Sequence, residues 1–119
     1  MEGGRPIFLQ IAELIENSII DGALAEESQA PSTNELAALH RINPATAAKG
    51  INQLVDSGIL YKKRGIGMFV AAGARARLRD RRREQFAEQY LYPLLTEAEK
   101  LGMGVDELKS MIDVWEKNR

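Results

Sequence analysis

Three features of this 119-residue chain predict a mainly α fold with a small β-hairpin. Two short helices lie between residues 32 and 57, joined by a tight turn. A hairpin with a basic, glycine-containing connection follows directly. Beyond residue 77 the apolar pattern is helical, in two amphipathic segments. The first two features in this order describe a winged helix-turn-helix. The third adds two C-terminal α-helices, read as a dimerisation element. The expected organisation is a winged helix-turn-helix over residues 1–72, a linker over 73–77 and a helical dimerisation segment over 78–119.

Each element has a local reason. Residues 1–5 carry two glycines and no apolar anchor, and read as disordered. Pro6 suits the first turn of a helix. Ile7, Ile11, Leu14, Ile15 and Ile19 then recur at spacings of three and four, which is one helix face. Gly22 ends that helix, and residues 23–30 read as a connector. Ser32 and Glu35 form an S-x-x-E capping box, ahead of a helix with Leu36, Ala37 and Leu39 on its apolar side. That helix stops near His40. Asn43 is the next N-cap, and Pro44 presets the first helical turn. The second helix of the motif runs to Ser57, and Gly58 closes it. Its inward side is Ala47, Ile51, Leu54 and Val55. The opposite side holds Ala45, Thr46, Lys49, Asn52 and Gln53. The turn from His40 to Ile42 has about the length used in a DNA-binding helix-turn-helix.

Ile59-Leu60-Tyr61 and Met68-Phe69-Val70 are short apolar runs around Lys62-Lys63-Arg64-Gly65-Ile66-Gly67, the pattern of a hairpin. Gly65 and Gly67 permit positive φ in its turn. Ala71-Ala72-Gly73 marks the end of this part. From about Arg75 a helix begins, with Ala87, Leu91, Leu94, Ala98 and Leu101 forming a seam like that of a coiled coil. Phe86, Tyr90 and Leu95 widen the seam. Pro93 lies inside the pattern and should kink it. Gly102 and Gly104 break it. A last helix opens at Val105-Asp106-Glu107, where acids suit the first turn. It presents Leu108, Met111, Ile112 and Trp115 on one side. Two such helices cannot close a core alone, and can pack on the first domain or on a second copy.

Composition narrows the function. With 45% hydrophobic residues the chain can build a core, and it has no cysteine for disulfides or thiolate metal sites. Its mean hydropathy is -0.28. No stretch approaches the roughly 20 apolar residues of a membrane span, and no signal-peptide pattern is present, so the expected location is the cytoplasm. The net charge of -1 and pI of about 5.9 count against a generally basic nucleic-acid binder. The distribution is uneven, however. Lys62, Lys63 and Arg64 are consecutive, and Arg75, Arg77, Arg79, Arg81, Arg82 and Arg83 crowd the start of the C-terminal part. Neither cofactor nor metal is expected. His40 stands alone at a helix end, and no ligand cluster accompanies it. Gly65-Ile66-Gly67 is too short for a nucleotide loop and precedes a strand. Tyr61, Tyr90, Tyr92 and Trp115 read as core or interface residues. Nothing points to an enzyme.

On periodicity alone, the polar side of the second motif helix reads as a solvated surface. The adjacent basic hairpin, taken together with a family resemblance, reverses that preference in favour of DNA. Pro6-Ile7-Phe8-Leu9-Gln10-Ile11, Pro31-Ser32, Glu35-Leu36-Ala37, Thr46 and Gly65-Ile66-Gly67-Met68-Phe69-Val70 occur in the order found in the GntR family of bacterial transcription regulators. The chain resembles that family over roughly its first 70 residues, and its short helical remainder resembles the small YtrA-type branch. Two departures stand out. The family usually has a Pro-Gly-Asp turn where this chain has Ala25-Glu26-Glu27. It also often places arginines where this chain has Asn34, Pro44 and Ala48, so base readout here rests on fewer direct contacts.

The resemblance implies a transcription regulator, expected to be a repressor, that binds double-stranded DNA at a palindromic operator as a homodimer. In this reading the recognition helix spans about 43–57 and the wing about 59–71. Ala45, Thr46, Lys49 and Gln53 face the major groove. Ser32, Thr33, Asn34, Lys62, Lys63, Arg64, Gly65 and Gly67 hold phosphates or the minor groove. The dimer interface comprises Phe86, Ala87, Tyr90, Leu91, Leu94, Leu95, Ala98, Leu101, Leu108, Met111, Ile112 and Trp115. Any small-molecule effector, of unknown identity, would bind at that interface or between domains. The competing reading is a winged-helix protein-interaction module that does not touch DNA.

Overall fold

A computed structural model describes residues 4–119. The disorder expected for residues 1–5 falls mainly on residues 1–3, which lie outside the described residues. The order is α1 (Ile7–Asp21), α2 (Thr33–His40), α3 (Pro44–Asp56), β1 (Leu60–Lys63), β2 (Gly67–Val70), α4 (Ala74–Phe86), a π-helical turn (Ala87–Leu91), α5 (Tyr92–Lys100) and α6 (Val105–Lys117). Two compact units form, one ending at Asp80 and the other spanning Arg81–Arg119.

In the first unit, Ile11, Ile15 and Ile19 of α1 meet Leu36 of α2, Ile51 and Leu54 of α3, and Leu60 and Val70 of the hairpin in one core. Pro6 is the N-cap of α1, one position earlier than a first-turn proline, and Gly22 closes the helix with φ 86°. The apolar face of α1 is narrower than its spacing suggests, because Ile7 and Leu14 are exposed. On α2 the correction is larger. Leu39 is 75% exposed, so Leu36 and Ala37 alone carry the buried side. An eight-residue helix has only about two turns, and its buried stripe is correspondingly short.

The helix ends follow their local signals. The Ser32 hydroxyl accepts from the Glu35 N–H, and the Ser32 N–H donates to the Glu35 carboxylate, completing the capping box. Asn43 Oδ1 accepts from the Ala45 N–H at 2.7 Å. At the end of α3, Gly58 N–H donates to Val55 O and Ile59 N–H to Leu54 O, a Schellman pair with Gly58 at φ 77°. Ser57 is thus the C-cap and α3 ends at Asp56.

Position 50 sets the distance between α1 and α3. A Cβ there would stand 2.8 Å from the Phe8 carbonyl oxygen and 3.1 Å from Ile11 Cγ2. Gly50 is buried with Ala47, Ile51 and Leu54 on the inward spacing of α3.

The hairpin pairs Leu60 with Val70, Tyr61 with Phe69, Lys62 with Met68 and Lys63 with Gly67. Lys62 and Lys63 therefore belong to β1, and the connection shrinks to Arg64-Gly65-Ile66. The connector before α2 also joins this sheet. Glu27 N–H donates to Val70 O, Val70 N–H to Ser28 O and Ala30 N–H to Met68 O. These bonds cover the free edge of β2.

The stretch expected to link the two parts, 73–77, holds the first turn of α4. Ala74 and Leu78 are buried in the core of the first unit. Two arginines of the basic cluster are turned to the backbone: Arg75 Nε donates to Ile20 O at 2.9 Å and Arg77 donates to Gly58 O. Each satisfies a carbonyl near a helix end.

In the second unit the chain answers the proline expected to kink it, Pro93, with a π-helical turn before it. Tyr92 N–H donates to Ala87 O, and Phe86, Leu91 and Tyr92 keep right-handed helical angles. Pro93 has no N–H for the usual bond, and the wider turn leaves room for its ring. Gly102 N–H donates to Glu99 O and Met103 N–H to Ala98 O, closing α5 with a second Schellman pair. Ala98, expected on the dimer seam, is only 5% exposed within the single chain.

Gly50→Ala should destabilise the protein. Helix propensity favours alanine by about 1 kcal/mol, while overpacking against a backbone carbonyl costs about 1–3 kcal/mol. The net loss, up to roughly 2 kcal/mol, is expected as a lower urea midpoint at unchanged slope. A raised midpoint would show that α1 withdraws without cost.

Candidate nucleic-acid interface

The outer side of α3 is built from small and polar residues. Ala45, Lys49, Asn52 and Gln53 are exposed, Thr46 and Ala48 half-buried. Ala45, Ala48, Lys49, Asn52, Gln53 and Asp56 line an open concavity of about 610 Å³ together with Phe8 of α1. Lys49 marks its cationic part and Asp56 the C-terminal end of the helix. An anion is therefore favoured toward the N-terminal half, where the helix dipole also favours negative charge. Small side chains at Ala45 and Ala48 let another backbone or a base edge come close. The Lys49 ammonium lies 4.1 Å from the centroid of the Phe8 ring.

Ser32, Thr33 and Asn34 sit at the start of α2, outside that concavity. The Ser32 hydroxyl spends an acceptor site on its cap and keeps its own proton to donate. Thr33 is half-buried and Asn34 exposed.

The wing differs from a contiguous basic run. Side chains alternate across a strand, so Lys62 and Lys63 leave opposite faces. Lys63 shares its face with Tyr61 and Phe69. Its ammonium stands 4.1 Å from the Phe69 centroid and 5.9 Å from that of Tyr61, and the two rings are tilted 6.1 Å apart. Lys62 follows the face of Leu60 beyond the edge of the core. Arg64 and Gly65 form the tip, with Gly65 at φ 79° and Ile66 N–H donating to Lys63 O.

Gln29 fastens this tip. Its side-chain Nε2 donates to Ile66 O at 3.0 Å. A Cβ on Gly67, where φ is 142°, would lie 2.6 Å from the same nitrogen. No sequence signal links residues 29 and 66. Phe8 is three residues before Ile11, on the apolar spacing of α1, and that spacing marks a core residue and not a site residue.

The region holding this geometry, residues 8–70, matches the family of "Bacterial regulatory proteins, gntR family". The chain belongs to the GntR family. Among its relatives, the HTH-type transcriptional repressor YtrA of Bacillus subtilis is 28% identical over 90% of this chain and 82% of its own length. YhcF, an HTH-type transcriptional regulator of the same organism, is 26% identical over 90% and 87%. These matches extend past the winged helix and support the YtrA-type branch. A GntR-family regulator structure from Bacteroides thetaiotaomicron aligns with TM-score 0.73 and 32% identity over 94% of this chain and 97% of that one. The DNA-binding domain of AraR, solved in complex with operator ORX1, aligns with TM-score 0.55 and 34% identity over 60% and 86%. The GntR protein described here is accordingly a winged-helix transcription regulator and not an enzyme.

Tyr61 provides a check on the wing's attachment. Its hydroxyl donates to a Glu27 carboxylate oxygen at 2.6 Å. That bond, followed by desolvation and the Glu27 charge, raises the phenol above its ordinary 10.0. A raised folded pKa means that the bond stabilises the fold below pH 10 and is lost as pH rises through the raised value. Glu27→Gln should lower the pH at which Tyr61 ionises, followed as the phenolate absorbance missing from Tyr61→Phe. An unmoved titration would remove Glu27 as its partner.

Proposed function

We propose that this GntR protein is a cytoplasmic repressor that binds a palindromic operator as a homodimer. The observation that carries the reading is the outer surface of α3: a capped helix with small residues and Lys49 toward its N-terminal half, beside a wing held to the core. Such a helix fits the major groove, where Lys49 can reach guanine O6 or N7 and Thr46 a thymine methyl or a phosphate. Ser32, Thr33 and Asn34 supply donors for the flanking backbone, and Lys62 and Arg64 reach phosphates from the wing. Lys63 reaches them only from its aromatic seat. The repressor names of YtrA and NagR support the sign of regulation. The AraR domain in complex with operator DNA supports the binding mode.

The second unit supports dimerisation. Phe86, Tyr90, Leu91, Leu94, Leu95 and Leu101 are exposed before Gly102. On α6, Met111, Ile112 and Trp115 are exposed as well, Trp115 to 60%. Ala87 and Leu108 are half-buried. Apolar surface of this extent is characteristic of an interface between chains. Pairing about a twofold axis would match two recognition helices to two half-sites one helical turn apart, about 34 Å, or a multiple of it.

The deciding experiment is selection of bound duplexes from a random pool, followed by mobility shifts at increasing salt. A recovered inverted repeat with steeply salt-dependent affinity is expected. No enrichment would favour a protein-interaction module instead. Replacing Lys62, Lys63 and Arg64 by alanine should flatten the slope of log affinity against log salt by about 0.9 for each phosphate that is no longer neutralised. An unaltered slope would assign the run to solubility.

Leu91→Lys combined with Leu94→Lys should give a monomer that binds one half-site. Its affinity for the full repeat should fall by about 10²–10⁴, since the second half-site no longer binds intramolecularly. Sedimentation of the wild type at micromolar concentration tests the premise, and a species of one chain mass, 13.2 kDa, would refute it.

A further inference from the structure

Phe8 lies on α1, and Lys49 is the exposed cation of α3. Gly50 brings them together, because the Phe8 carbonyl occupies the space a Cβ at position 50 would need. The ring of Phe8 is half-buried and borders the same concavity as Lys49, Ala45 and Gln53. The Lys49 ammonium sits 4.1 Å from the ring centroid. No carboxylate pairs with it among the described residues.

We propose that Phe8 is a positioning residue for DNA readout: its ring holds the Lys49 ammonium at a fixed place on the outer side of α3. This inference rests on the DNA-binding reading above. A free lysine has four rotatable side-chain bonds and loses much of that freedom on binding. Stacking removes part of the freedom before DNA arrives. The ammonium keeps its charge on the ring, and its N–H groups on the far side remain available to a guanine edge or a phosphate oxygen. Attraction between ring and cation also grows when DNA excludes water from the pair. The arginines that the family often carries at the positions of Pro44 and Ala48 are absent, so the placement of this single cation carries more of the discrimination.

The test is a double-mutant cycle on a selected operator and on a random duplex at one salt concentration. Phe8→Leu should weaken operator binding by about 2–5-fold, the range of an exposed cation–π pair. The same change in a Lys49→Ala background should have no further effect. Phe8→Tyr keeps the ring and should restore binding. In the free protein, the Lys49 side-chain protons nearest the ring should show upfield ring-current shifts by NMR, abolished in Phe8→Leu and kept in Phe8→Tyr. An equal loss of affinity in both Lys49 backgrounds would make Phe8 a purely structural residue and overturn the proposal. So would unchanged affinity in Phe8→Leu with an unchanged thermal midpoint. Absence of ring-current shifts in the wild type would overturn the geometry irrespective of DNA. Failure of the wild type to bind any duplex, with the shifts present, would instead overturn the DNA-binding reading and the role of Phe8 with it.

Discussion

In the first unit, α1 and α3 meet where a backbone carbonyl faces a missing side chain. Phe8 O lies only 2.8 Å from where any residue but glycine at position 50 would place its Cβ. This one constraint fixes how near α1 can lie to α3, and the core follows from it. Ile11 and Ile15 reach Ile51 and Leu54 only because the helix axes are close. With its inner side committed to α1, α3 has one free side, and that side presents Lys49 and Gln53. The same approach sets the Phe8 ring beside Lys49. Packing and the proposed readout therefore share a cause, and a side chain at position 50 would disturb both.

Features that rest on neighbouring residues were legible in the sequence. The Ser32–Glu35 capping box, the Asn43–Pro44 start and the Gly58 and Gly102 stops all form as local rules demand. Each is a hydrogen-bond problem solved within a few residues, so no tertiary information is needed. Features that rest on distant residues were not legible. Gly50 falls on the inward spacing of α3, but no local rule shows that the Phe8 carbonyl of α1 packs against it. Residues 28–30 read as a connector until β2 offers an edge. Leu39 has the spacing of a buried residue, but α2 is too short to bury that side. The arginines at 75 and 77 look like surface charge and instead satisfy carbonyls of Ile20 and Gly58.

The same distinction applies to the candidate site. The exposed side of α3 could be outlined from helical periodicity, since the inward residues define the outward ones. The wing could be placed but not its geometry. A run of three cations reads as one patch, whereas strand alternation sends Lys62 and Lys63 to opposite faces. The aromatic pair Tyr61–Phe69 then captures Lys63, and Gln29 fixes the tip through a bond spanning 37 residues. Neither partner is marked by spacing.

These placements bear on how a chain of net charge -1 can bind a polyanion. Bulk attraction is weak, so affinity has to come from a few cations in fixed positions. Lys49 and Lys63 are each seated on an aromatic ring, which limits the motion a lysine loses on binding. Arg75 and Arg77 are committed to backbone carbonyls and add little directed charge. A single winged helix with so few placed cations neutralises few phosphates, and its non-specific affinity falls with their number. Doubling the module through the exposed apolar side chains of the second unit would raise affinity for a matched pair of half-sites without raising it for random DNA to the same degree. Under the proposed dimer, an acidic chain gains selectivity from its weak bulk charge. Non-specific binding stays low, and the geometry of the pair supplies what charge does not.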